Sequence, residues 1–343
     1  MLALVLEKKL ELSLRDIDLP NEVHSNYVKI KMHTVGICGS DVHYYTHGKI
    51  GPFIVNKPMV LGHEGSGTII EIGNNVSNLK VGDRVCIEPG VPDVNSKEYM
   101  KGLYNLDPKL TFWATPPDHG CLTPEVVFPS NFVFKLPENV SYAEGAMIEP
   151  LAVGLQAAEK AKIIPGETAL IMGCGPIGLV IALTALAGGC SKVFIADIAS
   201  EKLRMCEHYS NLIPIDLNKE NPIEVIKKNT NNWGANIIFE ASGANKAYDV
   251  IFDSICPAGR VVIVGNPMNS VPMDFATLLT KEIEIKTVFR YAHQYERAIN
   301  LLSSNKINVK PMITDTVAFN DSIKAFERAA KNLPEDVKIQ IQL

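Results

Sequence analysis

A chain of 343 residues is too long for one ordinary hydrophobic core, so two domains are expected. Its 46% hydrophobic and 21% charged residues are the balance of a globular protein, not a disordered one. The formal net charge is -5 and no cluster of five or more Lys and Arg occurs, which argues against nucleic acid and anionic membrane as main partners.

The apolar start, Met1 to Leu6, lacks a basic n-region and is too short for a signal segment, so it reads as a first strand. Tyr27 to Met32 alternates polar and apolar residues, the mark of a strand with one face buried. Ser66–Ile72 and Asp83–Ile87 are further short strands, set off by Gly, Asn and Pro turns. Gly and Pro recur through residues 1–150, which predicts a partly open barrel of short strands. No internal repeat or low-complexity tract is present. Pro89 to Pro108 is long, polar, irregular and free of cysteine; it is a functional loop or a solvent-exposed excursion.

From Glu144 the pattern changes. Ala146, Met147, Ile148, Leu151, Ala152, Val153 and Leu155 recur at near-helical spacing, with Glu149 and Pro150 among them. Pro150 is expected to break the helical ladder there. An acid in such company needs a partner or a metal, unless Glu149 only caps a helix start.

Residues 167–289 alternate strand and helix. Strands are expected at Thr168–Met172, Lys192–Ala196, Asn236–Glu240, Arg260–Val264 and Glu282–Val288, with helices such as Ile177–Ala187 and Glu201–Tyr209 between them. This alternation predicts a parallel sheet covered by helices on both faces. A helix near Gln294–Ser303, a strand at Ile313–Val317, a helix near Asp321–Lys331 and a last strand at Val337–Leu343 follow. The last pieces have no place in a six-strand nucleotide sheet and are assigned back to the first domain.

The longest near-apolar run, Ile177 to Cys190, falls short of a bilayer span. Seven cysteines, an odd number without a C-x-x-C pair, point to reduced thiols in a cytoplasmic setting.

Two stretches carry chemistry. In the first, Cys38, His63 and Glu64 stand among glycines, in Gly36-Ile37-Cys38-Gly39-Ser40-Asp41 and Gly62-His63-Glu64-Gly65. A thiolate, an imidazole and a carboxylate suit Zn²⁺, and three protein ligands with an open position make a catalytic site. On these residues alone, a hydrogen-bonded structural His and a chance Cys remain an alternative. In the second, Thr168–Met172 runs into Gly173-Cys174-Gly175-Pro176-Ile177-Gly178 and an apolar helix. Strand before and helix after are the context that gives G-x-G-x-x-G its meaning. Gly173 permits the tight turn, Gly175 lets a pyrophosphate approach and Gly178 allows close packing of helix on strand. The helix N-terminus offers free N–H groups to the phosphates. Asp197 ends the next strand, where a carboxylate holds ribose hydroxyls and repels a 2′-phosphate, so NAD is expected over NADP. Lys202 either contacts the adenosine half of the cofactor or is a solvated helix lysine.

G-I-C-G-S-D at 36–41, G-H-E-G at 62–65, G-D-R-V at 82–85, I-E-P at 148–150 and G-C-G-P-I-G at 173–178 together resemble the zinc-dependent medium-chain alcohol dehydrogenase superfamily. Asp41-Val42-His43-Tyr44-Tyr45, Tyr104-Asn105-Leu106, Phe112 to Asp118 and Val288-Phe289-Arg290-Tyr291 narrow the resemblance to its polyol branch, the sorbitol and xylitol dehydrogenases. It covers essentially the whole chain. It implies an α/β protein: a GroES-like, β-rich catalytic domain at 1–150, completed by 290–343, and a Rossmann NAD-binding domain at 151–289. By the resemblance, Cys38, His63 and Glu64 ligate one zinc, and Glu149 either bonds its water or alternates as a ligand. Ser40 and His43 relay the hydroxyl proton. Tyr44, Glu149, Arg290 and Tyr291 contact the polyol. Gly173, Gly175, Ile177, Gly178, Asp197, Lys202, Val264, Gly265 and Phe289 contact NAD. Many relatives carry four close cysteines in the 89–108 lobe that hold a structural zinc; their absence implies one metal per chain. A homotetramer in the cytoplasm completes the expectation.

The implied reaction is reversible oxidation of a secondary hydroxyl of xylitol or sorbitol to the ketose. The nearest rivals use the same scaffold on L-threonine, a sugar-alcohol phosphate or a diol. A nucleotide-binding structural protein or redox sensor is the rival of another class, and it has no need of Cys38, His63, Glu64 and Glu149 together.

Overall fold

The structure, a computed structural model, describes residues 1–267 and 269–343. The chain divides into two compact units, Met1–Glu149 with Tyr295–Leu343, and Pro150–Gln294.

The first unit opens with β1 (Leu2–Lys8), β2 (Glu11–Asp16) and β3 (Tyr27–Gly36). The alternation in β3 is real: Val28, Ile30 and Met32 are buried and the lysines between them are not. Helix α1 (Gly39–His47), β4 (Met59–Val60), β5 (Glu64–Ile72), β6 (Arg84–Ile87), β7 (Glu125–Pro129) and β8 (Val133–Lys135) follow, then the short helix α2 (Tyr142–Ala146). The 89–108 segment is ordered by polar ties. Ser96 caps a single helical turn at Lys97–Met100, and Asp107 accepts the backbone N–H groups of Asp93 and Lys109.

Helix α3 (Ile148–Ala161) differs from expectation at Pro150. The proline lies in the first turn, where backbone N–H groups have no intrahelical partner, so it removes no bond from the ladder.

The second unit holds a six-stranded parallel sheet. Its strands are β9 (Thr168–Met172), β10 (Lys192–Asp197), β11 (Leu212–Asp216), β12 (Ala235–Glu240), β13 (Ile255–Ile263) and β14 (Glu284–Thr287). The order is β11-β10-β9-β12-β13-β14, the doubly wound arrangement in which strand order reverses beside the first strand. Between them come α4 (Pro176–Ala187), α5 (Ser200–Leu203), α6 (Pro222–Asn229), α7 (Tyr248–Ser254) and α8 (Phe275–Lys281). Ala169 to Met172 and Val193 to Ala196 are buried without alternation, as strands covered on both faces must be. The expected helix at Glu201–Tyr209 is α5 continued by a 3₁₀ segment, Arg204–His208. The strand β11 has no counterpart among the five strands expected from sequence.

The chain then returns to the first unit with α9 (Tyr295–Ser303), β15 (Ile313–Ala318), α10 (Ser322–Ala329) and β16 (Lys338–Gln342). β16 lies antiparallel to β3, and β15 parallel to β16. The large sheet thus runs β8-β6-β5-β3-β16-β15, with β7 also on β3. Its core includes Leu4, Ile30, Met32, Ile69, Ile87 and Phe326. The sequence places the return to the first domain before Arg290; contacts place it after Gln294, because Ala292 and Gln294 are tied to Gln156 of α3.

Candidate metal centre and cofactor-binding turn

Cys38 is the N-cap of α1, and His63 and Glu64 stand at the start of β5. β3 and β5 pair Gly36 with Glu64, which carries the Cys38 turn beside the His-Glu pair. One donor atom from each of Cys38, His63 and Glu64 lies within 4.8 Å of the other two. A side chain on Gly36 would run into Glu64 Oε2, so this strand pairing needs glycine there.

Two residues without a sequence-assigned role complete the cluster. Asp41 is fully buried and accepts the backbone N–H groups of Cys38 (3.3 Å) and Gly62 (3.1 Å). Its Oδ2 is 3.4 Å from His63 Nδ1, too poorly aligned for a hydrogen bond, and Nδ1 is left without one. The contact is therefore electrostatic. Lys338 of β16 is the second. Its Nζ donates to Glu64 Oε1 (2.7 Å), Glu64 Oε2 (2.8 Å) and the Ile37 carbonyl (3.2 Å).

The charges state what the cluster lacks. Burial favours a neutral His63, but the Asp41 carboxylate and the Cys38 sulfur outweigh it and hold the His63 pKa well above the ordinary value. Burial also opposes the Lys338 charge, and Glu64 with Cys38 overcomes it and raises that pKa. A buried site that draws protons onto a histidine beside a cysteine has room for positive charge. A soft-to-borderline dication on Cys38, His63 and Glu64 meets that demand, so the residues fit zinc. Two of the roughly four lone-pair positions of the Glu64 carboxylate are taken by Lys338, and the others stay open to a metal.

Glu149 is buried in the first turn of α3 and outside the group of three clustered donors. Its charge acts on Lys338 and on Glu88. Glu88, at the end of β6, accepts a 2.6 Å hydrogen bond from the Tyr104 hydroxyl. Burial raises its pKa to about 7 against the lowering effect of Tyr104, with Glu149 adding to the rise. Ser40 is half-buried and His43 exposed, one turn apart on α1. Partial burial of the imidazole and the neighbouring His47 lower the His43 pKa. Tyr44 is buried within the apolar core of the first unit. The Phe112 ring lies 5.7 Å from that of His63 and walls the cluster.

In the second unit the turn after β9 has the expected form. Gly173 has φ +106°, and a side chain there would press on Ser242. A side chain on Gly178 would collide with the Gly173 carbonyl, whereas Gly175 faces open space. Pro176 begins α4 and Ile177 follows. Asp197 Oδ2 accepts the Cys174 N–H at 2.6 Å and Oδ1 the Ala199 N–H at 2.8 Å. These bonds fix the carboxylate at the turn and leave lone pairs on both oxygens. Lys202 is tied to the same turn through its carbonyl, 3.4 Å from Cys174 Sγ. Val264 and Gly265 donate their N–H groups to the Glu240 carbonyl at the strand ends. Phe289 is exposed, the Arg290 guanidinium lies 5.0 Å over its ring, and Tyr291 is buried. Arg290 and Tyr291 belong to this unit and the metal cluster to the other.

Sequence signals for the missed residues are uneven. Asp41 ends the G-I-C-G-S-D motif and Phe112 stands beside T-P-P-D, so both were within reach. Glu88 closes an apolar strand, a weak signal. Lys338 alternates in K-I-Q-I-Q as a solvated lysine would.

Known proteins resemble this chain over nearly its whole length. Residues 24–138 match the alcohol dehydrogenase GroES-like domain, and residues 176–304 match the zinc-binding dehydrogenase domain. A putative D-xylulose reductase of Agrobacterium fabrum is 53% identical, over 99% of both chains. The sorbitol dehydrogenase of Bos taurus is 40% identical, over 99% of this chain and 96% of its own. A crystal structure of an Escherichia coli oxidoreductase/dehydrogenase of unknown specificity superposes with a TM-score of 0.94 at 34% identity, over 99% of this chain and 98% of the other. The chain belongs to the zinc-binding, medium-chain alcohol dehydrogenase superfamily. Within it, the chain falls in the polyol dehydrogenase branch and is an oxidoreductase. Among the described residues, no helix is long and apolar enough to cross a membrane.

Proposed function

We propose that this protein reversibly oxidises a secondary hydroxyl of a polyol, xylitol or sorbitol, to the ketose, using one zinc per chain and NAD. The observation that carries the reading is the grouping of Cys38, His63 and Glu64 within 4.8 Å, with Asp41 behind the histidine. When bound, zinc supplies the Lewis acidity that lets an alcohol lose its proton near neutral pH, and NAD supplies the hydride acceptor.

The chain's own residues hold, orient and move the proton. Cys38, His63 and Glu64 hold the metal, Asp41 orients His63, and Lys338 limits the negative charge on Glu64. Ser40 takes the hydroxyl proton and His43 passes it to solvent; the lowered His43 pKa keeps that imidazole neutral and able to accept. Glu149, Arg290 and Tyr291 pair the remaining hydroxyls, so a simple alcohol leaves polar groups unmatched and is a poorer substrate. Tyr44 contacts the polyol beside them. Gly173, Gly175, Ile177, Gly178, Lys202, Val264, Gly265 and Phe289 seat the dinucleotide, and Asp197 bonds its ribose hydroxyls. A cytoplasmic homotetramer of chains that each carry a GroES-like catalytic domain and a Rossmann domain goes with this reading on the family resemblance.

The test is a steady-state panel of xylitol, sorbitol, L-arabinitol, ribitol, galactitol, butanediol and threonine with NAD and NADP. The reading expects the highest kcat/KM on a polyol with NAD. Threonine or butanediol as the best substrate, or no turnover of any polyol, would sink it.

A further inference from the structure

The segment after β14 is held in an unusual backbone conformation. Arg290 has φ +55° and His293 φ +58°. Left-handed backbone is uncommon outside glycine; histidine tolerates it better than most residues, arginine does not share that advantage. Two such residues within four positions persist only where the surroundings over-determine them. A glycine at 290 would adopt this backbone without that cost.

The surroundings are a buried lattice of amides. Gln156, from α3, is buried, and its Oε1 accepts the Ala292 N–H at 3.3 Å and Gln294 Nε2 at 3.1 Å. Gln294, 1% exposed, also directs Nε2 to Glu159 Oε2 at 3.0 Å and to the Ala292 carbonyl at 3.1 Å. Upstream, the Val288 N–H is fixed to the Ile263 carbonyl at 2.9 Å. The segment is thus pinned at both ends, with both left-handed residues between the pins. An apolar side chain at 156 would leave the buried Ala292 N–H without that acceptor, a costly state in a dry site, and would leave Gln294 held by Glu159 and the Ala292 carbonyl alone.

We infer that Gln156, working through Gln294, is a positioning residue that locks residues 289–293 in the conformation that presents Arg290 and Tyr291 to a polyol. The inference rests on the proposed role of those two residues in substrate contact. Gln156 touches neither substrate nor cofactor in this scheme.

The test compares Gln156→Leu with Gln156→Glu, which keeps an acceptor oxygen, and with Arg290→Ala. Hydrogen exchange of the 286–296 peptide, xylitol kcat/KM and NADH affinity are measured on the full chain. Gln156→Leu should speed exchange in that peptide by about tenfold or more and lower xylitol kcat/KM by a similar factor, mainly through KM, with a smaller loss of NADH affinity through Phe289. Gln156→Glu should recover most of both. Unchanged exchange in Gln156→Leu would overturn the lock. Faster exchange with normal xylitol kinetics, while Arg290→Ala is impaired, would overturn the presenting role and leave the substrate reading standing. Normal xylitol kinetics in Arg290→Ala would remove the substrate reading and this inference with it. Equal loss of NADH binding and xylitol turnover in Gln156→Leu, unrecovered in Gln156→Glu, would mark Gln156 as support for the fold alone and also overturn it.

Discussion

Lys338 Nζ lies 2.7 and 2.8 Å from the two carboxylate oxygens of Glu64, and neither side chain is more than 2% exposed. The pair joins the last strand of the chain to the residue beside His63. Removing one member of such a pair leaves a buried charge without a partner, at a cost of about 3–5 kcal/mol. Lys338→Met should therefore lower thermal stability strongly in zinc-free protein. Saturating zinc should return part of the loss, because the metal then faces the Glu64 charge. A zinc-free Lys338→Met protein that melts like the parent would show that the pair is not coupled to stability.

Asp41 acts on His63 through a 3.4 Å electrostatic contact and on the Cys38 turn through a hydrogen bond. Asp41→Asn keeps the size and loses the charge. Zinc affinity, measured by chelator competition, should fall about 10- to 100-fold, as is usual for partners behind a metal ligand. An unaltered affinity would make Asp41 a turn-former only.

Glu88 gives a pH dependence with a definite sign. Burial raises its pKa to about 7 in the folded protein, from 4.5 for an unperturbed glutamate. Below about pH 4.5 both states carry the proton, and the shift contributes nothing. As pH rises from there through about 7, the unfolded chain releases the proton first, and the folded state loses roughly 3 kcal/mol of relative stability. Glu88→Gln cannot titrate and still accepts from Tyr104. Its melting temperature should exceed the parent's at pH 8 and match it more closely at pH 5. Parallel melting curves at both pH values would show that Glu88 does not titrate in this window.

Asp197→Ala removes a carboxylate that accepts the Cys174 N–H and, in the proposed function, bonds the ribose hydroxyls. NADH binding, followed by fluorescence, should weaken about tenfold or more, and the preference for NAD over NADP should narrow. A parent enzyme that already prefers NADP would overturn the assignment.

Legibility in the sequence followed sequence distance. The Gly-rich turn and the His63-Glu64 pair are local patterns whose spacing is their geometry. Lys338 is 274 residues from Glu64 and becomes a neighbour only because β16 pairs with β3. The strand β11, Leu-Ile-Pro-Ile-Asp, was hidden by Pro214, which a central strand rejects; β11 lies at the sheet edge, where a missing N–H is tolerated. Pro150 misled for the opposite reason, since the helix begins only at Ile148. The left-handed φ at Arg290 and His293 has no sequence signature at all.

Zinc titrated into metal-free protein, with NAD-linked xylitol oxidation as the readout, bears most directly on the proposed chemistry. Activity should start near zero and rise to a plateau at about one zinc per chain, set by Cys38, His63 and Glu64. Full activity before zinc is added, or a plateau at about two zincs per chain, would contradict a single catalytic metal held by those three residues.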